Sequence, residues 1–167
     1  MSQKVDEKPS THFEARTIKS VSQSEVVTFI HHILSRECGM RVKRQLEASV
    51  AQFFERFNAK THLFTAYYHN NILCGLLGVD RRSDTTAVLK WIFVAAEARN
   101  KGLGNRLIDT AITFAQQVGY KRLMLCTATQ MEAAHHLYRK KGFVFKENVT
   151  LWRRPMKILE RDLHSGT

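Results

Sequence analysis

The chain has 167 residues, of which 44% are hydrophobic and 25% charged, and a formal net charge of +11 at pH 7. That length fits one domain spanning 1–167, and the composition excludes a largely disordered or low-complexity chain. The positive charge would attract polyanions, but the basic residues are dispersed and their clusters (Arg81-Arg82, Arg139-Lys140-Lys141, Arg153-Arg154) are too short for a nucleic-acid arm.

The opening Met1 to Ser10 is polar, with no apolar core for a signal peptide or membrane span, and residues 1–11 are expected to be mobile. Phe13 to Lys19 is a strand candidate. Ser24 is a plausible N-cap for a helix that runs to Cys38 and stops at Gly39. A second helix is expected from Val42 to Phe57, with Leu46, Val50, Phe53, Phe54 and Phe57 on one side.

His62 to His69 and Ile72 to Asp80 read as two strands joined at Asn70-Asn71, a pair that tolerates the positive φ angles of a tight hairpin. A third strand covers Ala87 to Val94, with Leu89, Trp91 and Phe93 expected on one face and Val88, Lys90, Ile92 and Val94 on the other.

The clearest helix is 102–118, where Leu103, Leu107, Ala111, Phe114, Ala115 and Val118 recur at helical spacing before Gly119. Leu123 to Cys126 reads as a strand covered on both faces, and Gln130 to Lys141 as a helix closed by Gly142. Phe143 to Lys146 and Met156 to Leu163 supply two last strands around Trp152 to Pro155. Cys38, Cys74 and Cys126 are odd in number and unclustered, which fits reduced thiols in a cytoplasmic protein, and the histidines match no metal-site spacing.

The most informative stretch is Arg99-Asn100-Lys101-Gly102-Leu103-Gly104, between a strand and a helix. A helix start carries unpaired N–H groups and the positive end of the dipole, and glycine lets a diphosphate approach the main chain. This R-x-x-G-x-G spacing, followed by Leu137-Tyr138-Arg139-Lys140-Lys141-Gly142-Phe143, resembles the signatures of the GNAT superfamily of N-acetyltransferases. The resemblance is most specific from Leu89 to Val144, and is similar to compact bacterial domains, including those fused behind winged-helix regulators.

The resemblance implies an α/β fold with a mixed, mostly antiparallel central sheet, helices on both faces, and a cofactor cleft where two strands splay. It implies acetyl-CoA as co-substrate, with no metal, and an amine on a small molecule or protein as acceptor. The backbone of Ile92, Phe93 and Val94 would pair with the pantetheine arm, the Val94 amide reaching the thioester oxygen. The N–H groups from Arg99 to Asn105 (Arg99, Asn100, Lys101, Gly102, Leu103, Gly104, Asn105) would wrap the pyrophosphate, with Arg99 and Lys101 adding charge. Tyr138 would protonate the leaving thiolate.

Departures from the family pattern fall at the base. The glutamate many relatives carry aligns with Val88, which leaves Asp84, Glu97, Glu132, a histidine, a water chain or no dedicated base as alternatives. An asparagine common seven residues ahead of the tyrosine is Met131, and Ala96 replaces a frequent proline. His135 lies one turn from Tyr138. The region before Asp80, including Tyr67 and Tyr68, is expected to line the acceptor pocket. A non-catalytic acyl-CoA sensor and a basic nucleic-acid module are the alternatives to an enzyme; no specific nucleic-acid or membrane partner is expected, and a homodimer is compatible with the sequence.

Overall fold

The computed structural model describes residues 12–163; the expected mobility of 1–11 lies outside them. A short strand β1 (Glu14–Arg16) leads through a 3-10 turn to helices α1 (Gln23–Cys38) and α2 (Lys43–Arg56). Strands β2 (Leu63–His69), β3 (Ile72–Arg81) and β4 (Thr86–Val94) follow, then α3 (Leu103–Val118), β5 (Arg122–Ala128), α4 (Glu132–Lys140), β6 (Val144–Leu151) and β7 (Arg154–Asp162). The seven strands form one sheet in the order β1-β2-β3-β4-β5-β7-β6. Every neighbouring pair is antiparallel except β4 and β5.

Two apolar layers hold the helices to the sheet. On one face α3 places Leu103, Leu107, Ile108, Ala111 and Ala115 against Leu77, Val79, Leu89, Leu123 and Leu125. On the other, α1 and α2 place Val26, Ile30, Leu46, Val50 and Phe53 against Phe64, Ala66, Leu76 and Trp91. The helix ends follow local chemistry. Ser22, two residues before the expected Ser24, caps α1 by accepting from the Glu25 N–H at 3.1 Å. Gly39 and Gly119 end α1 and α3 at φ of 63° and 96°.

Asn70 and Asn71 form the expected tight turn, both with positive φ. The end of the chain departs further from expectation. Phe143 to Leu163 is a nearly continuous hairpin, turned at Trp152 and Arg153 with φ of 50° and 61°. Such a turn normally uses Asn or Gly. Its tip is anchored by Arg154, which donates to the Gly39 carbonyl at 2.8 Å.

β4 does not alternate as its sequence suggests. Val79 pairs with Leu89 but Gly78 pairs with Trp91, so Lys90 is an extra residue, a bulge. The bulge reverses the faces: Leu89 packs toward α3, whereas Trp91 and Phe93 turn toward α1 and α2. Likewise β5 is covered on one face only, since Leu123 and Leu125 are buried and Cys126 is exposed. All three cysteines are free thiols.

Candidate active site

Parallel pairing of β4 with β5 runs from Thr86 and Arg122 to Leu89 and Leu125 and then ends, although both strands continue. The second half of β4 therefore has one edge without a strand partner. The direction of its polar groups follows from the ladder. The Ala95 N–H donates to the Cys74 carbonyl at 2.8 Å, which makes Gly75 and Val94 a widely spaced pair. Alternation then turns the N–H and C=O groups of Ile92 and Val94 into the splay, and those of Phe93 toward Leu76 on β3. Of the three residues expected to offer backbone groups, two do so; Phe93 contributes its side chain.

Two cavities flank this edge, of about 450 and 440 Å³. The first is lined by Ile92, Phe93, Val94, Arg99, Asn100, Gly102, Leu103, Gly104, Asn105 and one side of α4, and so gathers the expected cofactor residues except Lys101. Gly102 adopts φ of 80° at the start of α3, and a Cβ on Gly104 would meet Leu137 at 3.4 Å across the cleft. The unpaired N–H groups at this helix start, where Gly102 and Gly104 bring no side chain of their own, form a cradle that fits an anion.

The two basic side chains of the loop are turned to the protein instead. Arg99 donates to the Val94 carbonyl from Nε and Nη2 at 3.2 and 3.0 Å and pairs with Glu37 at the end of α1. The Glu37 hydrogen bond raises the Arg99 pKa further. Lys101 donates to the Glu97 carbonyl at 3.1 Å.

The second cavity lies on the α1 and α2 side. Its walls are largely apolar, among them Leu34, Met40, Trp91, Met131, Trp152 and Met156, with Asp80, Arg81, Arg82 and Lys90 toward the start of β4. Tyr67 and Tyr68 are buried in the two cores rather than in its lining, a correction to the sequence expectation. Trp152, reaching this wall from the β6–β7 turn, gave no signal in the sequence because it sits between two strands of unread length.

Ile92, Phe93, Met131 and Tyr138 line both cavities. Tyr138 is buried on α4, its ring 6.0 Å from that of Phe143. Burial raises its pKa and keeps the hydroxyl protonated. His135 lines neither cavity: it is buried with Nε2 3.0 Å from the Ala128 carbonyl, tying α4 to the end of β5, and burial lowers its pKa. Among the described residues there is no group of three or more His, Cys, Asp or Glu arranged to hold a metal, and no helix long and apolar enough to cross a membrane.

Known proteins share this fold. An acetyltransferase of Streptococcus agalactiae superposes with a TM-score of 0.79 at 20% identity, covering 90% of this chain and 98% of that one. A GNAT acetyltransferase of Elizabethkingia anophelis, solved with acetyl-CoA bound, gives 0.62 at 18% identity over 93% and 99%. The PaiA N-acetyltransferase of Thermoplasma acidophilum, solved with coenzyme A, gives 0.66 at 16% over 90% and 99%. In sequence, the chain is 35% identical over 71 residues to a probable N-acetyltransferase, camello, of Xenopus laevis, covering 41% of this chain and 32% of that protein. An uncharacterized N-acetyltransferase of Methanocaldococcus jannaschii matches at 35% over 66 residues, 40% of this chain and 29% of its own. The chain thus spans about a third of these curated relatives. The family model for the GNAT acetyltransferases matches residues 27–143, and the chain belongs to that family.

Proposed function

We propose that the protein transfers the acetyl group of acetyl-CoA to an amine carried on an apolar or aromatic body. The observation that carries this is the meeting of the two cavities at Ile92 and Tyr138: one enters from a glycine-lined helix start, the other from an apolar pocket. A cofactor cleft alone would serve a sensor, whereas an adjoining cavity of similar size gives a second substrate a place to react.

Acetyl-CoA would lie with its diphosphate on the N–H groups of the loop and α3 and its pantetheine arm along Ile92 and Val94. Bound there, it supplies the activated acetyl thioester. The chain's own groups then act on three atoms. Ile92 lines both cavities while Val94 lines only the cofactor cleft, which supports the Ile92 N–H, beside that of Val94, as donor to the carbonyl oxygen as charge develops there. Tyr138, kept protonated by burial and lining both cavities, would give its proton to the departing sulfur. Met131, Trp91 and Trp152 would keep water from the thioester and orient the amine. Calorimetry with acetyl-CoA followed by coenzyme A release from a panel of amines tests this: binding without release from any amine leaves a sensor.

A further inference from the structure

Among the described lining residues of the acceptor cavity there is one carboxylate, Asp80. Its Cα partner across the β3–β4 ladder is Val88, the position at which the family pattern would place a glutamate. Directly opposed residues of an antiparallel pair project to the same face with Cβ atoms about 5 Å apart. Asp80 therefore presents a carboxyl group beside the place where that glutamate is missing, one strand over. The other carboxylates that could serve lie elsewhere. Asp84 is 88% exposed, held by Arg81 and outside the cavity. Glu97 lines neither cavity, and Glu132 lines only the cofactor cleft.

Asp80 is also held in a way that leaves one oxygen without a hydrogen bond. Oδ1 accepts from the Arg81 N–H at 2.8 Å and lies 3.0 Å from Nε2 of His62. His62 is 7% exposed, and its Nδ1 sits 2.9 Å from the Thr61 hydroxyl. Oδ2 is ion-paired with Lys90 Nζ at 3.6 Å, longer than an ordinary hydrogen bond, and the side chain keeps 17% exposure. Arg82, which lines the same cavity, and Tyr120, whose hydroxyl donates to the Thr61 carbonyl at 2.8 Å, complete the charged and titratable surroundings.

We infer that Asp80, beside His62, is the group that takes the proton from the acceptor ammonium. The inference rests on the acetyltransferase reading. An alkylammonium has a pKa of about 10 and no free electron pair at neutral pH, so it must lose a proton before attack. The N–H bond breaks, its pair stays on nitrogen, and the proton passes to the Asp80 carboxylate, which becomes a carboxylic acid. The amine nitrogen then bonds to the acetyl carbon as the carbon–sulfur bond breaks. The departing sulfur takes the Tyr138 proton, and the second proton that the nitrogen sheds as the amide forms passes through water to restore that hydroxyl. Val88 and Ile92 are four residues apart, at most about 13 Å of strand, so the proton travels through water rather than by direct contact. Asp80 is accordingly a positioning residue for that water and the final proton acceptor.

Two amines of nearly the same shape separate this role from a structural one. 2-Phenylethylamine is protonated at mildly alkaline pH, whereas 2,2-difluoro-2-phenylethylamine is largely unprotonated there and needs no base before it attacks. Asp80→Asn should lower kcat/KM for the first on the order of a hundredfold or more, and should spare the second. The two tryptophans of the chain, Trp91 and Trp152, both line the cavity, so quenching of their fluorescence reports amine binding without turnover; it should be little changed in Asp80→Asn. Asp80→Glu should recover much of the rate. Equal losses with both amines overturn the inference and leave the transferase reading standing. No coenzyme A release from either amine by the wild type removes the transferase reading and the inference together.

Discussion

Gly78 lies against the indole of Trp91 so closely that a Cβ added there would stand 2.5 Å from Cε3 of the ring. The indole cannot give way easily, because the Phe53 ring packs on it at 4.6 Å between centroids. This contact is what the Lys90 bulge produces: with the faces of β4 reversed, Trp91 swings over β3, and only a residue without a side chain fits beneath. Gly78→Ala should therefore cost about 1–3 kcal/mol of stability, the usual range for overpacking. Urea unfolding followed by tryptophan fluorescence measures it. Acetyl-CoA affinity of the folded variant should hold, since neither Gly78 nor Trp91 lines the cofactor cleft. An unchanged midpoint would mean that the indole has room that the close contact denies it.

Gly104 offers the opposite combination. Its Cβ would meet only Leu137 at 3.4 Å, and it lies within the first turn of α3. Gly104→Ala should keep or raise stability, by up to about 1 kcal/mol of helix propensity, and should weaken acetyl-CoA binding by narrowing the cradle. Gly102→Ala meets no atom within 4 Å, but its φ of 80° carries a strain of about 1–2 kcal/mol for any L side chain. Thermal melts with and without acetyl-CoA resolve both. Tight binding by a stable Gly104→Ala protein would remove the diphosphate from this helix start.

Arg99 illustrates why a loop motif does not specify what each of its side chains does. Its guanidinium is shared between the Val94 carbonyl and Glu37, a residue 62 positions earlier in the chain. Glu37→Gln would free a positive charge at the mouth of the cleft. Such partly exposed pairs are worth up to about 1 kcal/mol, so acetyl-CoA affinity should rise by no more than about fivefold at low salt, with the gain shrinking at high salt. Weaker binding in Glu37→Gln would show that the clamp, rather than the free charge, serves the cofactor.

What could be read from the chain was local. The period of Leu103, Leu107, Ala111 and Ala115 fixed α3, Gly119 its end, and Asn70-Asn71 the hairpin, because each signal lies within a few residues of what it determines. The glycine loop was also legible, since it occupies one short motif, and the splayed edge came only with the family resemblance that the motif carries. The misread features depend on pairing. A bulge inside the apolar run from Leu89 to Val94 leaves no trace in its alternation, so Trp91 and Phe93 were assigned to the face of Leu89. The turn at Trp152 uses residues with no turn preference, and it is held from outside by Arg154 on Gly39. The juxtaposition of Asp80 with Val88 exists only once the register of β3 on β4 is known.

Alkaline pH should destabilise the fold. Tyr68 is pushed up to about 12, first by burial and then by Glu25, and burial also raises Tyr120 and Tyr138. A folded-state pKa above the unfolded value contributes stability that is whole below the unfolded pKa of about 10 and is lost as pH rises toward the folded value. Each tyrosine can add a slope approaching 1.4 kcal/mol per pH unit in that window, before solvent screening reduces it. Melting temperature measured from neutral pH upward should stay level until pH approaches 10 and then fall, and Tyr120→Phe should soften the fall. A flat profile to pH 11 would mean that these hydroxyls ionise in the folded chain as readily as in the unfolded one.

Tyr138 is where stability and chemistry make different demands of one residue. It is buried with Phe143 beside its ring, so the aromatic body belongs to the core, and it also lines both cavities. Tyr138→Phe keeps the ring and removes the hydroxyl alone. If the hydroxyl gives its proton to the departing sulfur, turnover should fall on the order of a hundredfold or more while acetyl-CoA affinity stays nearly unchanged. An ordinary hydrogen bond to bound cofactor would instead cost about 1 kcal/mol, close to fivefold, in affinity. The pH profile adds a second discriminant, because burial raises the Tyr138 pKa and so keeps the acid protonated across the whole neutral range. The wild-type rate should show no loss from this group on the alkaline side below the ordinary tyrosine pKa of about 10. Calorimetry and turnover with an accepted amine give the two numbers: full turnover in Tyr138→Phe would leave the residue a packing element, and a loss confined to affinity would make it a binding one.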